Sequence, residues 1–278
     1  MKKSFLPLFL STVTIFPACS QDNSKLTTRE FLFSDKPVWQ DEFDYQGVPD
    51  PKKWSYDLGD HGWGNNELEN YTNLKENARV EGGLLIIEAK REKSGKRDYS
   101  SARIHTKGKG DFLYGKMEIR AKLPKGVGTW PAIWMLASES NYGNKGWPDN
   151  GEIDIMEHVG FDQNRVHGNI HTKAFNHAIK TNKGNNTIVD NVSSEFHIYS
   201  CEWTPDRITM LVDGKEFFSF KKEPGYGWAE WPFDKPEHLI LNIAVGGNWG
   251  GQKGVDESIF PQKMEVDYVR VFPLVTKK

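Results

Sequence analysis

Cysteine is scarce in this sequence, which limits how the chain can be stabilised. Only Cys19 and Cys201 occur among 278 residues, so a network of disulfides is excluded. Cys201 lies in an apolar stretch and is predicted to pack there as a small hydrophobic residue. Stability must therefore come from a buried core, and a chain of this length can bury a sizeable one.

Basic charge and long hydrophobic runs are also lacking. The formal net charge at pH 7 is −2 and no basic stripe appears, which argues against a nucleic-acid partner. The apolar run Phe5–Phe16 is too short to span a bilayer and follows two lysines, as in a signal peptide. Phe16-Pro17-Ala18-Cys19 resembles a lipobox, although Phe16 and Pro17 fit it loosely. A plain signal peptide cleaved near Ala18 is the alternative.

These features predict a division of the chain and an exported protein. Residues 1–19 are predicted to be a signal peptide of lipoprotein type, residues 20–35 a flexible tether, and residues 36–275 one folded domain. A lipidated Cys19 would attach the protein to the outer membrane or cell surface; otherwise it would be periplasmic or secreted. The sequence is silent on oligomeric state, and a monomer is the default expectation.

Helical periodicity is a further absence. We find no long amphipathic helix and no internal repeat, while short apolar runs alternate with Gly, Pro and Asp turn signals. Asp213-Gly214 between two such runs predicts a hairpin. Many short strands without crossover helices predict an all-β sandwich of two antiparallel sheets. The predicted strands are Leu84–Ala89, Tyr114–Ala121, Ala132–Leu136, Val166–His171, Phe196–Trp203, Arg207–Val212, Glu216–Phe220, Leu239–Ala244 and Met264–Phe272.

The stretch Gly151–His158 places three carboxylates in a sequence that otherwise reads as a buried strand. Residues two apart point to the same face of a strand, so Glu152 and Asp154 share a face. Strict alternation would turn Glu157 away from them. One extra residue, a β-bulge near Ile155-Met156, would return Glu157 to the acidic face.

Three carboxylates on one face repel one another, which favours a chemical role for the group. Two other interpretations remain open at this point. The strand could be an edge strand with solvated acids, or the acids could bind calcium, although the spacing is not that of an EF-hand. His158 directly follows Glu157 and is predicted to point to the other face.

The residues Glu152–Glu157 match the E-[ILV]-D-x-x-E signature of glycoside hydrolase family 16 in its bulged form. Two further stretches, Trp130–Leu136 and Asn242–Gly251, are similar to the laminarinase branch of endo-β-1,3-glucanases. The resemblance covers roughly residues 38–273. It implies a β-jelly roll whose concave sheet forms a substrate cleft, and it identifies residues 36–275 as a catalytic domain.

The resemblance implies retaining endo-hydrolysis of β-1,3-glucosidic bonds in glucans such as laminarin, without a cofactor in the chemistry. Retention needs two carboxyl groups about 5–5.5 Å apart. Glu152 and Glu157 could lean together to that spacing on a bulged strand. The residues alone supply the pair but not the roles. The resemblance makes Glu152 the nucleophile, Glu157 the acid/base and Asp154 the assisting carboxylate.

Aromatic residues are frequent, with ten tryptophans, whose flat faces suit the C–H faces of sugars. Trp130 and Trp134 are candidate sugar platforms, with core filling as the alternative. Their spacing of four does not place them simply in register if Pro131 bends the strand. Trp249 and Trp63 lie between glycines, in loops that favour a binding role.

Four polar residues are candidates for binding sugar hydroxyls. Asn66 and Glu67 supply an amide and a carboxylate beside Trp63. Arg103 alternates with Ile104 and faces the cleft if Ile104 faces the core; a surface salt bridge is the alternative. His171 is a structural hydrogen-bonding residue or a cleft residue, and the resemblance favours the cleft.

The resemblance also implies a structural calcium ion on the convex side of the domain. The matching positions are Glu42, the Gly82 carbonyl and Asp267, since oxygen ligands suit calcium. A few solvated acids are the alternative.

Other functions remain compatible with the sequence. The same mechanism could act on mixed-linkage β-1,3-1,4-glucan or an algal galactan, and a retaining intermediate could be captured by a sugar instead of water. A non-catalytic, carbohydrate-binding jelly roll is a hypothesis of another class, because fold alone does not decide function. Such a protein would have no need of three acids on one strand.

Overall fold

The computed structural model describes residue 1, residues 31–144 and residues 146–276, and from Phe31 onward these residues form one compact unit. Residues 2–30, which hold the rest of the predicted signal peptide with Cys19 and most of the predicted tether, lie outside the described residues. No helix in the described ranges is long and apolar enough to cross a bilayer.

Strands make up nearly all the regular structure of the described residues. Two 3-10 turns, His177–Ile179 and Glu257–Ile259, are their only helical elements. The strands are β1 Phe31–Phe33, β2 Trp39–Asp41, β3 Ser55–Asp57, β4 Glu69–Tyr71, β5 Ala78–Glu81, β6 Leu84–Ser94, β7 Arg97–Ser101, β8 Arg103–His105, β9 Asp111–Phe112, β10 Gly115–Lys122, β11 Thr129–Ala137, β12 Glu152–His158, β13 Arg165–His171, β14 Lys183–Ile188, β15 His197–Trp203, β16 Arg207–Val212, β17 Lys215–Lys221, β18 Glu237–Val245, β19 Gln262–Phe272 and β20 Leu274–Thr276.

Two large sheets form the domain, and the predicted all-β jelly-roll sandwich is confirmed. One sheet runs β17-β16-β15-β10-β19-β6-β7-β4, with β2 beside β19 and β5 beside β6. The other runs β14-β13-β12-β11-β18-β8-β3, with β9 beside β18. Apart from the parallel pair β4–β7, every pairing is antiparallel. The acidic strand β12 therefore lies inside the second sheet, between β11 and β13.

Side-chain alternation explains how the sheets bury their inner faces. In β10 the residues Met117, Ile119 and Ala121 are fully buried and their neighbours are half-exposed. Cys201 packs in the same core at 0% exposure, as predicted. Burying a large apolar side chain stabilises a fold by roughly 1.5–3 kcal/mol, so this core can stabilise the domain without disulfides.

The predicted strands all occur; Arg207–Val212 matches at both ends, and the ends of the others differ from the prediction by at most five residues. The Asp213-Gly214 hairpin joins β16 to β17 with both residues at positive φ, 50° and 74°. One boundary was wrong: residues 31–33, assigned to the tether, form β1 and pair with β20. Phe31 and Phe33 share one half-buried face while Leu32 is exposed, which is the alternation of a strand.

Candidate active site

The predicted bulge in β12 is confirmed by its pairing with β13. Asp154 pairs with Asn169 and Glu157 with His167, so two residues of β12, Ile155 and Met156, lie opposite one residue of β13. The side chains of Ile155 and Met156 are fully buried in the core. The bulge therefore turns Glu157 to the same face as the other two acids.

The residue opposite the bulge is Gly168, which permits close packing of the two sheets. A Cβ atom at this position would collide with Met210 and Phe217 of the facing sheet. His158, after the bulge, is fully buried on the face away from the acids, as predicted. Burial lowers the pKa of His158 to about 4, so it is a neutral core residue.

A cleft of about 830 Å³ crosses the second sheet, and Glu152, Asp154 and Glu157 all line it. Of the eight predicted sugar-binding residues, seven also line this cleft. They are Trp63, Glu67, Arg103, Trp130, Trp134, His171 and Trp249. Pro131 does not disturb Trp130 and Trp134, because β11 keeps continuous pairing with β18 from Thr129 to Ala137. The two indoles therefore project from the same face of the strand.

Glu152 is held by groups from outside its strand. Its Oε2 accepts a hydrogen bond of 2.8 Å from the Trp147 indole Nε1. Its Oε1 lies 3.9 Å from His171 Nε2. The same imidazole nitrogen lies 3.2 Å from Asp154 Oδ2, within ion-pair distance but outside hydrogen-bond alignment. His171 therefore lies in the cleft, close to two of the three acids.

Glu157 has its own pair of donors. Trp130 Nε1 donates to Glu157 Oε1 at 3.1 Å, and Asn169 Nδ2 donates to Oε2 at 3.0 Å. Asn169 lies two residues from His171 on β13, so both project from one face. Glu152 and Glu157 are therefore oriented by different hydrogen-bond donors.

Burial and mutual charge shift the titration of the three acids. Burial, with the charge of Asp154, raises the pKa of Glu152 to about 8. Burial, with the charge of Glu152, raises the pKa of Glu157 to about 7. The pKa of Asp154 also rises, through burial and the charge of Glu157. The group therefore keeps protons at neutral pH. Because the acids interact, each step of proton loss is a property of the three acids together and not of one residue. The order of the two values does not assign the roles.

Arg103 lies between two aromatic rings on the opposite side of the cleft. Its guanidinium carbon is 4.7 Å from the centre of the Trp63 ring and 4.6 Å from that of Trp134. Its Nε lies 2.9 Å from Asp57 Oδ2, while Ile104 is fully buried. Arg103 therefore faces the cleft and also forms the salt bridge that was its alternative role. Stacking fixes both indoles.

A chain of hydrogen bonds connects Trp134 to Glu67 beneath the cleft. Trp134 Nε1 donates to Asn242 Oδ1 at 2.8 Å, and Asn242 Nδ2 donates to the Tyr71 hydroxyl at 3.0 Å. That hydroxyl donates to Glu67 Oε2 at 3.0 Å. Three of these four residues are buried, so the chain sets the positions of an indole and a carboxylate together.

Asn66 differs from the other predicted binding residues. It has positive φ, is exposed and does not line the cleft. Its Nδ2 donates to Asn248 Oδ1 at 2.8 Å, and this contact joins its loop to the loop of Trp249. The neighbouring Asn65 lines the cleft instead. Positive φ turns the chain at Asn66, and the residue types in this loop do not predict which of its side chains line the cleft.

Sequence reasoning missed several cleft residues. Asn169 and His167 follow from alternation on β13 once His171 is placed, so the signal was present. Asn242 follows in the same way from β18. Trp147 lies in the loop before β12, where no periodicity predicts the direction of a side chain.

At the predicted calcium site the side chains of Glu42 and Asp267 are paired with arginines, and a calcium ion at these residues and the Gly82 carbonyl stays a prediction. Both oxygens of Glu42 accept hydrogen bonds from Arg270, at 2.8 and 2.7 Å. Asp267 Oδ2 accepts one from Arg120 at 2.7 Å. Two guanidinium groups would repel a calcium ion at these carboxylates. Among the described residues, the one cluster of three acidic or histidine ligands is Glu152, Asp154 and His171, in the cleft.

Comparisons with known proteins agree with this geometry. The model of the family "Glycosyl hydrolases family 16" matches residues 65–270. A beta-glucanase of Rhodothermus marinus is 57% identical over 240 residues, which are 84% of each chain. The crystal structure of a laminarinase from the same organism superposes with a TM-score of 0.86 at 54% identity, covering 89% of this chain and 100% of that one. A mutant of SCLam, a non-specific endo-β-1,3(4)-glucanase, has a TM-score of 0.83 at 48% identity, with 88% of this chain and 99% of that one covered.

Proposed function

The chain belongs to glycosyl hydrolase family 16, and we propose that it hydrolyses internal β-1,3-glucosidic bonds of glucans such as laminarin. The observation that carries this function is the bulged strand β12, which presents Glu152, Asp154 and Glu157 together to an aromatic cleft. No cofactor takes part in the chemistry of this family.

The reaction proceeds in two steps with net retention at the anomeric carbon. In the first, the Glu152 carboxylate forms a bond to the anomeric carbon while the bond to the leaving glucose oxygen breaks. Glu157 gives its proton to that oxygen. In the second, Glu157 takes a proton from water, the water oxygen bonds to the anomeric carbon, and Glu152 leaves as a carboxylate.

The surroundings of the acids fit a group that must hold one charged and one protonated carboxyl group. The Trp147 hydrogen bond and the nearby His171 favour the ionised form of Glu152. Burial keeps a proton available on the group at neutral pH, as a general acid requires. Asp154 lies between the two on the strand, and its charge helps to raise the pKa of Glu152. The division of roles between Glu152 and Glu157 rests on the family resemblance.

Mixed-linkage β-1,3-1,4-glucan is a second candidate substrate. The observation that favours it is the similarity to SCLam, which is described as a non-specific endo-β-1,3(4)-glucanase. An enzyme tolerant of both would release reducing ends from both polymers, with product sizes that differ.

One experiment tests the function and the binding-only alternative. Purified wild-type and Glu152→Gln proteins are incubated with laminarin, mixed-linkage glucan and agarose, and products are sized by chromatography. We expect hydrolysis of laminarin by the wild type and its loss in the variant. Exposed Glu216→Gln serves as the matched control. Laminarin left unchanged by the wild type would contradict the proposal, as would full activity of Glu152→Gln.

We also propose that the protein is exported and held by lipid on Cys19. This proposal is supported by the lysines, the apolar run and the Ala18-Cys19 sequence near the N-terminus. Mass spectrometry of the mature N-terminus tests it, with Cys19→Ala as the comparison. A mature chain without an acyl group would contradict lipidation, and the enzyme would then be periplasmic or secreted.

A further inference from the structure

Two of the ten tryptophans, all of which lie in the described residues, are exposed by more than a third of their surface. Trp147 is 46% exposed and lines the cleft, while Trp228 is 39% exposed and lies outside its lining. A single exposed apolar residue needs no explanation. Trp228 is different because a neighbouring aromatic ring stacks on it and further contacts hold that ring in place.

Tyr142 and Trp228 form an ordered stack. Their ring centres are 5.8 Å apart and their planes differ by 4°. The Tyr142 hydroxyl donates to Asp234 Oδ1 at 2.6 Å, and Lys235 Nζ lies 5.9 Å from the centre of the tyrosine ring. The Tyr142 backbone N–H also donates to Asn150 Oδ1 at 2.8 Å. These contacts fix two flat rings at the surface beside a carboxylate and an ammonium group.

The two rings of the stack are connected to two segments that supply residues of the cleft wall. Tyr142 and Trp147 lie five residues apart on one loop, so at most roughly 18 Å separates their Cα atoms. On the other side Ala229, next to Trp228, accepts a backbone hydrogen bond of 2.8 Å from Ala174. Ala174 is three residues before His177, whose ring lies 4.9 Å from that of Trp147 in the cleft wall.

We propose that the Tyr142–Trp228 stack is a further binding site, outside the catalytic cleft, for a glucose ring of a long β-glucan chain. The inference rests on the proposed function for the kind of sugar. An aromatic face presented to water matches the C–H face of a pyranose. Asp234 and Lys235 can accept from and donate to its hydroxyls. Because the two segments that carry the stack also supply Trp147 and His177 to the cleft wall, a chain that leaves the cleft past these residues can reach it.

The site predicts a dependence on chain length. A short oligosaccharide that fills only the cleft does not reach Trp228, whereas a polymer contacts both surfaces at once. Losing one aromatic contact should weaken the affinity for the polymer by roughly twofold to tenfold, which corresponds to about 0.4–1.4 kcal/mol. Removing the indole should therefore weaken polymer use and leave short substrates unaffected.

The test compares wild type, Trp228→Ala and a control, Leu74→Ala, an apolar residue that is 51% exposed elsewhere. For hydrolysis, we expect Trp228→Ala to raise KM for laminarin about twofold to tenfold with kcat unchanged, and to leave kcat/KM for laminaritetraose at the wild-type value. Leu74→Ala should match wild type on both. Equal KM values for laminarin, or equal losses on both substrates, would overturn the inference.

A binding arm separates this inference from the proposed function. Retention of Glu152→Gln and of Glu152→Gln/Trp228→Ala is measured by electrophoresis in gels that contain laminarin. We expect weaker retention of the double variant, and equal retention of the two would overturn the second site. Absence of hydrolysis by the wild type would overturn the proposed function instead, while this arm still decides the site.

Discussion

The indole Nε1 of Trp147 donates a hydrogen bond of 2.8 Å to Glu152 Oε2, so an exposed loop residue holds a carboxyl group of the central acidic strand. The hydrogen bond favours the charged form of Glu152, against burial and the charge of Asp154. The loop before β12 therefore takes part in setting the titration of the site, although it adds no acid to it.

Trp147→Phe removes this donor and keeps an aromatic ring. The pKa of Glu152 should rise further, so the acid limb of the pH–rate profile should move to higher pH. Because hydrogen bonds to charged groups contribute about 1.5–3 kcal/mol, kcat below neutral pH should fall by roughly tenfold to a hundredfold. Trp39→Phe, distant from the cleft, is the control. An unmoved acid limb would show that the bond does not matter for titration.

Glu157→Gln tests the role of general acid. Hydrolysis of laminarin should fall by about 10²–10⁴-fold, because the leaving oxygen is no longer protonated. Aryl glycosides whose leaving group needs no proton should be far less affected, and added azide should trap the glycosyl-enzyme as a β-glycosyl azide. Glu152→Gln should show neither behaviour. Reversal of these two results would exchange the roles of the residues.

Tyr71→Phe interrupts the chain of hydrogen bonds between Trp134 and Glu67. Buried groups of Asn242 and Glu67 then lose a partner, and the variant should be destabilised by about 1–3 kcal/mol, with a raised KM. The matched control is Tyr56→Phe, because the buried Tyr56 hydroxyl has no hydrogen-bond partner. Calorimetry and laminarin kinetics give both readouts. Equal stability of the two variants would contradict the importance of the chain.

Glu237 should make the fold sensitive to alkaline pH. It is buried with both oxygens unpartnered, and burial, with the charge of Glu152, holds its pKa well above the usual range. The folded state therefore binds its proton more tightly than the unfolded state does. The free energy of unfolding should fall by roughly 1.4 kcal/mol for each pH unit above about 4.5, until the folded pKa is reached.

Glu237→Gln should remove the pH dependence that Glu237 gives to the free energy of unfolding. The variant should gain stability relative to wild type as pH rises from 5 to 9, as measured by the midpoint of thermal unfolding. Exposed Glu216→Gln should show no such trend. A constant difference between Glu237→Gln and wild type at every pH would show that Glu237 does not hold its proton.

Gly168→Ala tests the packing opposite the bulge. The added methyl group would meet Met210 and Phe217, so we expect destabilisation of about 1–3 kcal/mol and a loss of activity through displacement of β12. Gly146→Ala, where an added Cβ meets nothing within 4 Å, is the control. Wild-type stability of Gly168→Ala, measured by denaturant unfolding, would show that the two sheets can move apart at the bulge without loss of stability.

Much of the fold and the acidic strand could be predicted because they depend on side-chain alternation. The bulge at Ile155-Met156 follows from the need to bury two apolar residues in succession while three acids face one way. Short strands escaped prediction. Ile188 is the one apolar side chain of Lys183–Ile188 and it is exposed, so hydrogen bonding to β13, not burial, makes this segment a strand.

The details that escaped prediction depend on the meeting of distant segments. Trp147 contacts Glu152, and Asn66 contacts Asn248 across 182 positions of sequence. Likewise Glu42 looks available for a metal until Arg270 is placed beside it on the neighbouring strand. Alternation predicts which way a strand residue points but not which loop covers it.

The pairing of β1 with β20 brings the two ends of the described domain to one corner. A fusion partner joined before residue 31 and another joined after residue 276 would emerge side by side. A short linker between these ends would close the chain into a ring, and the ring could then be reopened at the Asp213-Gly214 turn to give a circularly permuted enzyme with its cleft intact.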